Sequence, residues 1–169
     1  MFVTEIIPGL WVCDYDIAQT HYFNTRNIRL YIHIYSYKND YADLSLNYNQ
    51  QHIEICIKNI ITNSDASTIL RQNTQYAEDY GRKIIDNIKV ISDILDRMHG
   101  VVIYSKYGIQ KATTFACGYL IAMGNLQTDN ALKIMHSKEP LCFKNPQSLD
   151  REDHIVLYRD ALKYIEFKY

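Results

Sequence analysis

The hydrophobic patterns along this 169-residue chain predict one α/β domain spanning residues 1–169, a sheet followed by a helical C-terminal half. Three observations carry the prediction: two segments alternate with period two, a later segment has a helical stripe, and the run after it is apolar almost all round. The first alternating segment sets Ile28, Leu30, Ile32 and Ile34 against Arg29, Tyr31, His33 and Tyr35. The second sets Ile53, Ile55 and Ile57 against Glu54, Cys56 and Lys58. Successive side chains of a strand point to opposite faces, so each segment reads as a strand with one face turned to a core. The polar stretch from Ser36 to Gln51, marked by Asn39-Asp40 and Asn47-Tyr48-Asn49, reads as a loop with a short helical turn at most.

Between Tyr76 and Met98 the residues Ile84, Ile88, Ile91, Leu95 and Met98 recur at alternating spacings of four and three, one stripe of an amphipathic helix. His99-Gly100 is its expected stop. The apolar run Val101-Val102-Ile103 then reads as a strand, and Ala112 to Met123 as a buried central helix ending near Gly124. Thr128 is expected to cap the next helix and Pro140 to stop it, and Leu149 to Tyr164 supplies the last helix. No linker, internal repeat or low-complexity tail interrupts the chain.

Composition narrows the function classes. With 47% hydrophobic and 22% charged residues the chain reads as an ordinary soluble domain, and a net charge of −1 indicates neither nucleic acid nor an anionic membrane as partner. No apolar run approaches membrane-spanning length, and Met1 to Glu5 lacks the character of a signal peptide. Cys13, Cys56, Cys117 and Cys142 lie far apart without Cys-x-x-Cys spacing, which fits reduced thiols in the cytoplasm better than disulfides or zinc. The six histidines are equally scattered, and no metal or other cofactor is expected.

The segment that carries chemistry is Tyr104-Ser105-Lys106-Tyr107-Gly108-Ile109-Gln110-Lys111-Ala112, set between a strand and a helix. It resembles the phosphate-binding loop of the dual-specificity branch of the protein tyrosine phosphatases, whose signature reads His-Cys, five residues, Arg, then Ser or Thr. Tyr104 stands at the His position, Ser105 at the nucleophilic Cys, Lys111 at the Arg and Ala112 at the hydroxyl residue. Gly108 is kept. Other segments share the resemblance in order over about residues 5–165. Ile6 to Val12 is similar to the opening strand, Asp16 to Gln19 to a short helix, and Gly118-Tyr119-Leu120-Ile121 to the family's Ala-Tyr-Leu-Met. Thr128 to Pro140 resembles the next helix, and Lys144 to Leu149 a Pro-Asn-x-Gly-Phe turn with its Pro and Asn exchanged. The resemblance implies a central, mostly parallel sheet flanked by helices, and a loop of residues 105–111 whose amides cradle phosphate.

It also implies lost chemistry. The family's cysteine attacks as a thiolate held by loop amides and the following helix N-terminus; the Ser105 hydroxyl has a far higher pKa and no adjacent base in sequence. Four altered positions together favour natural divergence over a laboratory substitution. Lys111 keeps a charge but not the planar fork of arginine, and is either a phosphate ligand or a solvated lysine. Tyr104 cannot supply the imidazole, and Ala112 cannot supply the hydroxyl. The general acid belongs about thirty residues before the nucleophile, at Asn73-Thr74-Gln75, where no acid stands; Asp65 and Asp79 are the nearest. Gly108 still permits a positive φ, so the loop either retains weak anion binding or is filled by Tyr104, Tyr107 or Lys106.

The leading expectation is therefore a pseudophosphatase that binds phosphoproteins or a kinase or phosphatase partner. The alternatives are a weak phosphatase or serine hydrolase using Ser105, or a purely structural or virion protein. The composition, rich in Ile, Tyr and Asn, fits an A/T-rich genome and the compact viral members of the family, which would place the protein in host cytoplasm or virion.

Overall fold

The computed structural model describes residues 1–36, 44–58, 65–143 and 158–169. Pro8-Gly9 sets the first turn: Gly9 has φ +87°, and Ile7 pairs with Leu10 across it. Proline followed by a residue with positive φ is the chemistry of a type II turn, which folds the chain back on itself. The expected single strand from Ile6 to Val12 is therefore an antiparallel hairpin, β1 (Val3–Ile7) and β2 (Leu10–Asp14). A short helix α1 (Tyr15–Ala18) and a 3-10 turn (His21–Phe23) lead to β3 (Ile28–Tyr35), followed by β4 (Gln51–Cys56).

The long helix α2 runs from Ala66 to Asp96, beginning well before the expected Tyr76. None of its residues before Ala77 is buried, so its first turns carry no apolar stripe to read. Their signal is the cap instead: Asp65 Oδ1 accepts from Thr68 N at 2.9 Å and from Ser67 Oγ at 2.7 Å. The helix ends in a Schellman arrangement, not at Gly100. Met98 takes the left-handed position with φ +63°, and His99 N reaches back to Ile94 O at 3.2 Å. Met98, expected on the buried stripe, is consequently 85% exposed.

β5 (Gly100–Ser105), buried throughout, enters the middle of the sheet, and α3 (Lys111–Gly124), α4 (Thr128–Lys138) and α5 (Arg159–Lys168) follow. The strand order is β1-β2-β5-β3-β4, with every pairing except β1–β2 parallel. The expected α/β architecture with a mostly parallel sheet is what the chain adopts. Thr128 does not cap α4 through its own side chain. Its N–H and Oγ1 both donate to Glu166 Oε2 of α5, at 3.0 and 2.5 Å, so a carboxylate from another helix takes the cap's place. The last helix extends past the expected Tyr164 to Lys168. The expected helical start at Leu149 and the turn at Lys144 to Leu149 lie outside the described residues.

Both faces of the sheet are covered. Leu10, Val12, Leu30, Ile32, Ile34 and Ile103 pack with Ile84, Phe115 and Ile165 of the helices in the main core. On the second face Cys13, Tyr31, Val102 and Tyr104 pack with Ile17 and Phe23. Ile28 joins this second cluster rather than the main core because the β3–β5 register shifts between Ile28 and Leu30.

Candidate functional site

β5 is flanked by β2 and β3 and ends at Ser105, directly opposite Asp14 in the β2 register. Residues 106–110 then turn the chain into α3, whose first residue is Lys111. Ser105 is 3% exposed, and its Oγ accepts hydrogen bonds from Gly108 N at 3.2 Å and Ala112 N at 3.3 Å. The hydroxyl oxygen thus sits where a loop amide and an amide of the first helical turn converge, the geometry that favours an electron-rich atom. Toward the loop itself Ser105 is thus the acceptor.

Gly108 makes this possible. Its φ is +77°, and a Cβ placed there would lie 2.7 Å from both the carbonyl carbon and oxygen of Cys13, and from Phe2 Cδ1. Only glycine lets the loop back lie against β2. Gly108 O accepts from Thr113 Oγ1 at 2.6 Å and from Thr113 N at 3.2 Å. Thr113 was not among the expected site residues. It stands one place beyond Ala112, and its hydroxyl braces the loop carbonyl, not Ser105.

The other loop residues divide their work. Ile109 is buried and its carbonyl accepts from Phe143 N at 2.6 Å, so it anchors the loop to the chain after α4. Gln110 precedes α3 without a side-chain capping bond, and its carbonyl accepts from Thr114 N at 2.7 Å. Lys111 is partly buried, and Tyr80 Oη donates to its carbonyl at 2.6 Å, tying the start of α3 to α2. Lys106 and Tyr107 are on the surface, with Lys106 Nζ 5.4 Å from the centre of the Tyr107 ring, a cation–π distance.

Tyr104 does not fill the loop. Its ring lies on the second face of the sheet, stacked on His33 at 4.6 Å and 8°, and its hydroxyl is 2.8 Å from His52 Nε2. His33 Nδ1 is 2.8 Å from Glu54 Oε2. His52 Nε2 also lies 3.2 Å from Glu54 Oε1, an ion-pair distance without hydrogen-bond alignment, which leaves the tyrosine hydroxyl as its hydrogen-bond partner. Burial pushes the Tyr104 hydroxyl pKa well up, lowers that of His52 and raises that of Glu54. Scattered in sequence, these residues are joined by parallel pairing: His33 faces Glu54, and Tyr31 faces His52. The period-two pattern did place His33 and Glu54 on polar faces, but nothing local paired them. Among the described residues no group of three His, Cys, Asp or Glu is arranged to hold a metal, and no helix is long and apolar enough to cross a membrane.

The acidic residues are engaged in structure. Asp14 accepts from Phe2 N at 2.6 Å and Ile17 N at 2.8 Å, pinning the N-terminal strand and α1 beside the loop. Asp65 caps α2, and its hydrogen bonds to Thr68 and Ser67 lower its pKa to about 2. Asp79 lies on α2, paired with Lys83 at 3.0 Å. Asn73, Thr74 and Gln75 are also helical, so the position counted back from Ser105 is not on a loop at all.

No family model matches the sequence, and no curated protein matches it. Solved structures do. The human tyrosine phosphatase-like serine/threonine/tyrosine-interacting protein superposes with a TM-score of 0.70 at 14% identity, over 98% of this chain and 97% of that one. This chain has the dual-specificity-phosphatase fold. Human DUSP28 gives a TM-score of 0.65 at 12% identity, over 98% and 94% of the two chains. A mouse putative dual-specificity phosphatase complexed with zinc tungstate gives 0.64 at 13%, over 98% and 87%. In the dual-specificity-phosphatase fold of this chain the strand–loop–helix unit at Ser105 occupies the centre of the sheet, at the carboxyl ends of the parallel strands, where open α/β sheets place their ligands.

Proposed function

We propose that this protein is a pseudophosphatase: a phosphatase-like chain without phosphatase activity that binds phosphoproteins, or a kinase or phosphatase partner, through the face of its loop. The observation that carries the reading is a neutral hydroxyl at the centre of a well-formed cradle, with Ser105 Oγ receiving Gly108 N and Ala112 N. The amides that would hold a thiolate hold an alcohol. Among the described residues no imidazole or carboxylate is hydrogen-bonded to Ser105 to take its proton. Asp65, with its pKa at about 2, is ionised at neutral pH and has no proton to give a leaving group. Nucleophile, guanidinium and acid are each worth about two or more decades of rate, so their joint loss leaves essentially no turnover.

Binding needs less. The cradle depends on backbone amides and on Gly108, and a neutral Ser105 presents less repulsion to a dianion than a thiolate does. The fold-level likeness to a human protein described as phosphatase-like and interacting supports the same reading. The free thiols of Cys13, Cys56, Cys117 and Cys142 suit a reducing, cytoplasmic setting.

Assay of aryl phosphates and phosphotyrosine peptides should show no turnover, and reproducible hydrolysis that disappears in Ser105→Ala would overturn the proposal in favour of a residual enzyme. Ser105→Cys with Lys111→Arg should be needed together to restore any rate. Titration with a phosphotyrosine peptide should shift the amides of residues 105–112; an intact fold with no shift at millimolar peptide would move binding to another surface.

A further inference from the structure

At the end of β5 opposite the loop, the starts of β3 and β4 and the end of α2 enclose an open pocket of about 410 Å³. β5 is 6 residues long, which sets this pocket about 20 Å from Ser105 at the rise of a strand. Arg29, Arg97 and His99 line it, with the carboxamides of Asn49 and Gln51 and a single carboxylate, Asp93. Among the described residues neither guanidinium forms an ion pair with a carboxylate.

Arginines near the end of a helix ordinarily answer its exposed carbonyls. Here the carbonyls of Ile94 and Leu95 are taken, as is that of Met98 just beyond the helix. Ile94 O accepts from Arg97 N and His99 N, both at 3.2 Å, Leu95 O from Met98 N at 3.0 Å, and Met98 O from Asn27 Nδ2 at 3.3 Å. His99 Nδ1 faces Asn27 Nδ2 at 2.8 Å and accepts from Arg29 Nε at 3.5 Å. Asn27 Nδ2 is fixed as a donor by its bond to Met98 O, so Nδ1 meets two donors and the ring proton sits on Nε2. His99 therefore offers an N–H as its remaining polar atom. The pocket presents donors and cations from three elements against one carboxylate.

We propose that this pocket is a second anion site, taking a phosphate-class oxyanion between Arg29 and Arg97 with the His99 Nε2–H as a further donor. Each guanidinium fork matches a pair of oxygens on one edge of the ligand. Two forks from different elements suit a tetrahedral anion, which has several such edges, better than a planar carboxylate, which has one. The ligand is either free phosphate or the phosphoryl group of a monoester. The inference is independent of the reading of Ser105.

The test is a titration at constant ionic strength with inorganic phosphate, glycerol phosphate and acetate, following the arginine Nε–H resonances and the His99 amide. Inorganic phosphate should shift all three signals saturably, and Arg97→Gln, at an exposed position, should weaken binding about tenfold. Lys111→Gln should leave it unchanged. Binding of glycerol phosphate as well would assign the pocket to a phosphoryl group on a larger ligand; binding of inorganic phosphate alone would assign it to the free anion. Equal shifts with acetate, no saturable shift, or an Arg97→Gln protein that titrates like the parent would overturn the proposal.

Discussion

Gly108→Ala tests the loop geometry on which the functional reading stands. The residue holds φ +77°, and the added methyl would lie 2.7 Å from the Cys13 carbonyl carbon and oxygen, and from Phe2 Cδ1. A left-handed non-glycine residue costs about 1–2 kcal/mol in backbone energy. Overpacking against a neighbour adds about 1–3 kcal/mol, and here two of the three close atoms belong to the backbone of a central strand, which cannot rotate away. The expected loss is about 3 kcal/mol, or about 6–12 °C in melting midpoint for a chain of this size. Urea unfolding of parent and variant, with equal slopes, measures it. Gly124→Ala is the control: its Cβ would meet only the flexible Leu126 side chain, nearest at 3.2 Å, at the end of a helix. That change should be neutral or slightly stabilising. A Gly108→Ala loss below about 1 kcal/mol would mean that the loop lifts off β2 without penalty, and the rigid cradle assumed for Ser105 would have to be abandoned.

Tyr104→Phe keeps the stack on His33 but removes the hydroxyl from His52, and should lower urea stability by about 1 kcal/mol; no change would mean that His52 is satisfied without it. Asp65 has its pKa at about 2 in the folded chain, below the usual 3.8. The unfolded chain therefore binds the proton first on acidification, so the stabilisation is full above about pH 4 and is lost as pH falls through 2. Asp65→Asn should preserve the cap and flatten that part of the acid-unfolding profile; a profile unchanged in Asp65→Asn would show that another group governs it. Ser105→Cys should place a thiol under Gly108 N and Ala112 N with a pKa below the ordinary thiol value, read as alkylation rate against pH, and an ordinary titration would show that the amides do not converge as described.

The candidate loop was legible because its elements are local. A strand end, a glycine, and the spacing of Ser105 from Lys111 are contiguous in the chain, and backbone geometry follows directly from them. Periodicity likewise marks β3 and the buried α3, although in β3 both faces leave water: Tyr31 and His33, on the side opposite the isoleucines, are buried as well. Other features have no local trace. The first turns of α2 carry no buried residue, the cap of Thr128 is Glu166 of another helix, and Tyr104 finds His52 and His33 only once β5 and β4 have taken their places beside β3. The anion pocket joins Arg29 to Arg97 through the same assembly. The sequence by itself determined most of the strands and helices and the strand–loop–helix order at Ser105, because those choices depend on neighbours a few positions away. Tertiary structure alone decided which polar groups meet, because a hydrogen bond between residues dozens of positions apart depends on strand order and register, which no single segment encodes.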